Sequence, residues 1–390
     1  MTDSTNPHHH GPLRELAGLF FRLGATSFGG PAAHIALMEH EVVRRRRWLS
    51  SEAFLDLLGA TNLIPGPSST EMAIHIGWAR GRWAGLVVAG TCFIAPAATI
   101  TLVLAWAYVR FGASAEVAGI LHGVKPVLIA VVGQALLRLG RTALRSGHAW
   151  VIAGVATALN ALGINELAVL FGAGLAPALA IALRRTWDRR PSGSLGLWLA
   201  LPAVAGVGSG VAASPFGLWP MFLFFLKVGS VLYGSGYVLL AFLRADLVER
   251  WGWLTDRQLL DAVAIGQLTP GPVFTTATFI GYVLGGWPGA ALATLGIFLP
   301  SFGFVALSGP IVPRLRRSPV AGAFLDGVNA ASLALMAVVT WELARAALVD
   351  RWTVALAVAS ALVLGRFAVN SIWLVLAGAM VGLGLTMFAT

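Results

Sequence analysis

Two short segments carry residues suited to chemistry in otherwise apolar surroundings. One is Asn62-Leu63-Ile64-Pro65-Gly66-Pro67-Ser68-Ser69-Thr70-Glu71; the other is Gln267-Leu268-Thr269-Pro270-Gly271-Pro272-Val273-Phe274-Thr275-Thr276. Two prolines around a glycine cannot continue a helix, because each lacks an amide and its ring clashes with the preceding turn. The break frees backbone N–H and C=O groups. At membrane depth such groups persist only when buried in protein or lining a wet cavity. A helix restarting after Pro67 or Pro272 would aim its first amides, and the positive end of its dipole, into that cavity. That is a setting for an anion. Ser68, Ser69 and Thr70 in one copy, and Thr275 and Thr276 in the other, add hydroxyls, while Asn62 and Gln267 bring amides to the far side of each break. The competing reading is a pair of packing kinks without a ligand.

Glu71 is the one carboxylate of the first segment, and its counterpart is Thr276. Beside an anion path it would be neutral while anion is bound, or would carry a proton in exchange; the alternative is a capping role in the first helical turn. Arg22 and Lys227 form a second matched pair. Each stands just before a glycine-rich stretch, Gly29-Gly30-Pro31 or Gly234-Ser235-Gly236. Two cations in equivalent places would neutralise a divalent anion, and snorkelling toward the interface is the competing reading. His34 is a further proton-carrier candidate, although single histidines such as His34, His75 and His122 serve more often as core or interface groups. Lys125 precedes Pro126 and aligns with Asn329, which makes it a weaker candidate.

The elements that position these groups come in two copies. Trp48, Asp56 and the triplet Pro65-Gly66-Pro67 recur as Trp253, Asp261 and Pro270-Gly271-Pro272, 205 residues later in each case. After one residue of slippage, Gly77, Trp83 and Pro96 recur as Gly281, Trp287 and Pro300, 204 residues later. The expected organisation is a polar tail over 1–12, a first membrane repeat over 13–183, a basic cytoplasmic linker over 184–196 and a second repeat over 197–390. The apolar stretches fall at 13–43, 54–79, 83–109, 117–140 and 148–183, then at 216–243, 258–283, 287–309, 321–345 and 353–390. The fifth stretch of the first half is long enough for two short helices around Gly163-Ile164-Asn165.

Composition sets the class. Hydrophobic residues make up 57% of the 390-residue chain and charged residues 11%, against about 25% charged in soluble domains. Many runs approach the roughly 20 residues that cross hydrocarbon as a helix, and they lack the alternation of barrel strands. The fold class is an all-α polytopic membrane protein of two homologous halves, with about 10–12 membrane helices and broken or re-entrant Pro-Gly-Pro segments. The net charge of +10 lies in short arginine clusters between apolar runs. These read as topology signals rather than a nucleic-acid surface. Arg44 to Arg47 make the first loop basic, whereas its counterpart over 246–252 is nearly neutral. The loop at 111–114 is uncharged, whereas its counterpart holds Arg314, Arg316 and Arg317. Opposite bias in equivalent loops predicts an inverted repeat with an odd number of crossings per half. Trp48, Trp83, Trp253 and Trp287 read as interfacial anchors. The single Cys92 excludes an internal disulfide and a cysteine metal site. No phosphate loop, catalytic triad or metal motif stands out, so neither an enzyme nor a cofactor is expected.

Phe28-Gly29-Gly30-Pro31 with Ala33-His34-Ile35, followed by Pro65-Gly66-Pro67, Thr70 and the second triplet at 270–272, resembles the chromate transporter family in its long two-domain form. The resemblance covers about 13 to 390. It implies efflux of chromate across the bacterial inner (cytoplasmic) membrane, driven by the proton-motive force, with sulfate as the competing oxyanion. The expected partners are that oxyanion, the lipid bilayer and a second copy in a homodimer, with no nucleic acid. An anion channel or a sulfate permease built on the same site is the alternative. The second half departs from the pattern at Gly234-Ser235-Gly236 and has no following histidine, so the half-sites are not equivalent.

Overall fold

The computed structural model describes residues 11–28, 30–112, 114–188, 216–232, 238–316, 318–367, 369 and 371–389. No strand occurs among them. The first half contains α1 (Gly11–Thr26), α2 (Gly30–Glu39) with a π-helical continuation over His40–Arg45, α3 (Ser51–Thr61), α4 (Ser68–Phe111), α5 (Ala115–Ala143), α6 (Gly147–Ala161) and α7 (Glu166–Asp188). The second half repeats this order. It contains α8 (Leu218–Val231), α9 (Leu239–Leu243) with a π-helical Arg244–Arg250, α10 (Asp256–Leu268), a 3-10 turn over Val273–Thr275, α11 (Thr276–Arg316), α12 (Pro319–Ala347), α13 (Arg351–Arg366) and α14 (Ser371–Ala389).

Helix starts follow local chemistry. Ser50, Ser114 and Ser146 each accept a backbone amide at the N-terminus of α3, α5 and α6. Thr255 with Gln258, and Asp350 with Thr353, close reciprocal capping boxes on α10 and α13, satisfying amides that a helix start leaves without partners.

The long helices α4 and α11 each reverse on themselves. Gly81 and Arg82 leave helical geometry, Arg82 at φ 49°, and Gly285 and Gly286 do the same at the equivalent place. In an unbroken helix Gly77 and Ala89 would lie about 18 Å apart. Instead, a Cβ built on Gly77 would meet the Cβ of Ala89 at 2.6 Å, and one on Gly281 would meet that of Ala293 at 2.6 Å. The chain therefore doubles back at 81–82 and at 285–286, in the gaps between the apolar stretches 54–79 and 83–109, and 258–283 and 287–309. The limb over 68–80 is about 20 Å long, too short to cross hydrocarbon of about 30 Å. With 11 residues, α3 is shorter still. The first Pro-Gly-Pro break thus joins two helices neither of which spans alone.

The two halves are interleaved. Within each half, α1 packs on α4 and α8 on α11, while α4 and α11 meet across the centre. Beyond that, α6 and α7 lie on α12 of the other half, and α13 and α14 lie on α5. Gly119 of α5 abuts Gly382 of α14, and Gly123 abuts Gly378, so the two helices run antiparallel with backbones in close approach. Gly327 and Ala173 make the matching contact between α12 and α7. Small residues permit such approach where lipid supplies no hydrophobic drive between helices.

Among the described residues, five helical segments are long and apolar enough to cross a membrane: Ser68–Phe111, Glu116–Arg141, Glu166–Leu183, Val273–Ser308 and Pro319–Ala347. Two of these hold a reversal and so contain two limbs each. Trp83, Trp287 and Trp373 are exposed, as are Leu362 and Met380 on the outer helices, consistent with a lipid-facing surface. Two sequence boundaries shift. Helix α1 begins at Gly11, inside the expected tail, and α7 runs to Asp188, inside the expected linker. The rest of both segments, and 197–215 of the second repeat, lie outside the described residues.

Candidate functional site

Each Pro-Gly-Pro break is held by the other half of the chain. Gly66 has φ 137° and donates its amide to the Leu232 carbonyl at 2.8 Å; Gly271 has φ 84° and donates to the Ser27 carbonyl at 2.8 Å. Positive φ is cheap only for glycine. Residues 27 and 232 are themselves equivalent, at the ends of the first helices of their halves. The breaks therefore lie at the interface of the repeats, as a site shared by both requires.

The first break keeps its polar groups free. The helix restarts at Ser68 with Pro67 as its cap, and Pro67 supplies no side-chain acceptor. Its carbonyl receives the amides of Thr70 and Glu71. Ser69, Thr70 and Glu71 are buried. The Thr70 hydroxyl and both Glu71 carboxyl oxygens have no hydrogen-bond partner. A Cβ on Gly66 would lie 2.8 Å from the Ser301 hydroxyl of α11 and closer still to Glu71 Oε1. Ser301 is fully buried and also lacks a partner. So Gly66, Glu71 and Ser301 form one polar knot from both halves, and the missing side chain at Gly66 makes room for it.

The second break is spent on itself. The Thr275 hydroxyl donates to the Pro272 carbonyl at 2.9 Å, and that of Thr276 to the Val273 carbonyl at 2.8 Å. Thr269 donates to the Gly266 carbonyl at 3.0 Å and meets Thr101 at 3.4 Å. Where the first half-site has Ser301 beside Gly66, the second has the methyl of Ala97 beside Gly271. A buried Gln267 amide nitrogen remains without a partner, and it lines a small cavity with Leu239, Leu243, Val263 and Thr276. Asn62 is exposed at the end of α3, where its backbone N–H donates to the Leu58 carbonyl of the preceding turn.

The remaining sequence candidates lie around this centre. His34 is buried, edge-on to Phe93, with Nε2 at 3.1 Å from the same Ser27 carbonyl that receives Gly271. Gly30 starts α2 at φ 78°, and Gly29 lies outside the described residues, as do Gly234, Ser235 and Gly236. Arg22 and Lys227 are each paired with an acid. Arg22 meets Glu41 at 2.6 Å and Lys227 meets Asp246 at 2.5 Å. Those acids are again 205 residues apart and sit on the two π-helical stretches. Arg45 and Arg46 also reach Glu41, and Arg250 reaches Asp246. Arg22 and Lys227 are therefore each engaged by a carboxylate at half-exposed positions, and each acid is shared with further arginines. Ser301 escaped sequence reasoning. It directly follows Pro300, and its counterpart is an alanine, so only the asymmetry could have marked it.

No metal-binding cluster of three or more His, Cys, Asp or Glu side chains occurs among the described residues. Buried hydroxyls that lack partners thus stand beside a helix start, a setting suited to a small anion, with a buried carboxyl in the same knot.

Comparisons with known proteins place the chain. The sequence profile of the chromate transporter family matches residues 14–178 and 219–383, two stretches with the displacement of the Pro-Gly-Pro breaks. A chromate transport protein of Cupriavidus metallidurans is 32% identical over 375 residues, covering 94% of this chain and 91% of that protein. A chromate transport protein of Pseudomonas aeruginosa is 34% identical over 359 residues, covering 88% and 84%. The uncharacterized transporter YwrA of Bacillus subtilis is 31% identical over 147 residues, which is 38% of this chain but 82% of that protein. No solved structure matches.

Proposed function

The chain belongs to the chromate transporter family, and on that premise we propose that it is a secondary transporter exporting chromate across the cytoplasmic membrane of a bacterial cell, driven by the proton-motive force. The observation that carries this reading is the first break: a helix start where the buried Thr70 and Ser301 hydroxyls and the Glu71 carboxyl all lack partners among the described residues. Buried polar groups are ordinarily satisfied, so a cluster of orphans at the joint of two repeats fits a site whose partner arrives from solution. A tetrahedral oxyanion accepts hydrogen bonds in several directions and matches such donors.

Glu71 supplies the coupling. An ionised carboxylate would repel a divalent oxyanion at the same break, so Glu71 shares the site as a protonated donor. Anion loading is then linked to its protonation, and the loaded site, still net negative, is driven outward by the inside-negative membrane potential component of the proton-motive force. The Thr275 and Thr276 hydroxyls, already committed to carbonyls, shape the second break more than they bind. His34 holds the Ser27 carbonyl that anchors Gly271. The halves form an inverted repeat in this reading. Support comes from the antiparallel run of α5 and α14: if each short loop from α5 to α7 reverses the chain, α7 and its equivalent α14 point opposite ways. Because the outer helices are exchanged between halves, the moving unit is the break-bearing core against the shell of α5–α7 and α12–α14.

Purified protein in sealed liposomes tests the function. Chromate should accumulate against its own gradient when a pH gradient is imposed, and sulfate should compete. A flux equal with and without the pH gradient would mark a channel and remove the coupling role of Glu71.

A further inference from the structure

A second buried polar centre lies apart from the breaks. The Lys125 ammonium of α5 sits 2.8 Å from Asp261 Oδ1 of α10, and the Tyr108 hydroxyl of α4 donates to Asp261 Oδ2 at 2.9 Å. Lys125 and Asp261 are both buried, on segments from opposite halves. The centre exists once. The equivalents of Lys125 and Tyr108 are Asn329 and Val312, and only Asp56 repeats Asp261.

The same helices lead from this centre to the second break. On α4, Ala97 lies against Gly271 and Thr101 against Thr269, and Tyr108 follows Thr101 by seven residues, a rise of about 10 Å. On α10, Asp261 precedes Thr269 by eight residues, a comparable distance. The seam between α4 and α10 thus has the break at one end and a buried ammonium at the other. Arg22 and Lys227 are engaged at half-exposed positions, which leaves Lys125 as the most buried cation among the described residues.

An ion pair of this kind is a poor device for stability alone. Well-packed apolar side chains of similar volume often replace one at no loss, because desolvating two charges offsets their attraction. Ionisable groups kept inside a membrane more commonly mark an ion pathway. We propose that Lys125 is a second station for the oxyanion, and that Asp261 is its built-in stand-in. The carboxylate holds the ammonium while the site is empty and yields it, remaining on the Tyr108 hydroxyl, when the oxyanion arrives. This inference rests on the chain's being an oxyanion transporter.

The test is the melting temperature of purified full-length protein, with and without chromate or sulfate and with chloride as control, read beside liposome transport. Asp261→Asn leaves a buried ammonium without its counter-ion, so the empty variant should melt below wild type. Either oxyanion should then restore it by a larger shift than in wild type, at roughly tenfold lower half-saturating concentration. Lys125→Met should lose most of the oxyanion-dependent shift. The paired variant Lys125→Met/Asp261→Leu should melt near wild type yet transport roughly a hundredfold more slowly. An Asp261→Asn protein that oxyanions stabilise no more than wild type would overturn the proposal, as would a paired variant that transports within about twofold of wild type. Wild-type liposomes that move neither oxyanion would remove the transport reading itself, and this station with it.

Discussion

The amide of Gly66 donates to the carbonyl of Leu232 at 2.8 Å, so the break of one half is tied to the first helix of the other. The reciprocal bond, Gly271 to Ser27, has the same length. Two breaks each clamped by the opposite repeat cannot shift independently. A change that reshapes one is felt by the first helix of its partner half, which links local backbone geometry to the shared site.

Gly66→Ala follows from that geometry. The position has φ 137°, and a Cβ there would collide with the Glu71 carboxyl and lie 2.8 Å from Ser301 Oγ. Strain alone costs roughly 1–3 kcal/mol, and displacement of Glu71 should remove transport. Gly163→Ala is the control, since Gly163 has φ 77° but open space around it. It should lower the melting temperature modestly and leave liposome transport near wild type. Equal transport loss in both variants would show that general destabilisation, not the crowding of Glu71, is responsible.

Glu71→Gln should fold normally, because neither carboxyl oxygen has an ion-pair or hydrogen-bond partner to lose. Its transport should continue down a chromate gradient but cease to respond to an imposed pH gradient. Flux into liposomes at fixed chromate, with the internal pH varied, gives the answer. A variant still driven by the pH gradient would move the coupling role elsewhere.

Arg22 should act through Glu41. If so, Glu41→Ala costs more than Arg22→Ala, because it also releases Arg45 and Arg46, and the double variant costs little more than Glu41→Ala alone, the sign of a shared interaction in a double-mutant cycle. The pH behaviour has a definite sign. Burial pushes the Glu41 carboxyl up, but hydrogen bonds from Arg22, Arg45 and Arg46 outweigh it, and the group is held below its ordinary value. Its contribution is therefore complete above the unfolded carboxyl pKa, about 4.3, and is lost as acid carries the pH through the lowered folded value. Melting temperatures measured from pH 7 down to pH 3 should show wild type and Glu41→Gln converging at the acid end.

How legible this was depended on which interactions are local. The repeat, the breaks and the chain reversals were readable, because proline and glycine act on their own backbone: apolar stretches ending at 79 and 283 stop just short of the turns at 81–82 and 285–286. The matched cations Arg22 and Lys227 were visible through their offset, but their role was read without their partners. Glu41 and Asp246 share the same offset and were available as a signal. What no local pattern carries is the crossing between halves: the clamp of Gly66 on Leu232, the approach of Ser301 to Glu71, and the union of Lys125 with Asp261. Each joins residues more than 100 positions apart, and none has a motif.

The exchange of outer helices makes a last prediction. In either half alone, the face of α5 that receives α14, or the face of α12 that receives α7, would be left open. Those faces are lined by small residues, Gly119 and Gly123 on one and Gly327 on the other, shaped for a partner backbone rather than for lipid. A fragment over 1–196 expressed alone should therefore be unstable, and likewise one over 197–390. Expressed together they should rebuild the native pairs, because every exchanged contact is intact when both are present and the cut falls between the repeats. Affinity purification through a tag on one fragment should recover the other in equal amount, with chromate transport restored in liposomes. Replacing Gly123 by Leu should abolish recovery, since a Cβ at that position already meets the backbone of α14 at Gly382 within 2.8 Å. Fragments that fold separately and never associate would show that each repeat closes on itself, against the exchanged packing of α7 and α14.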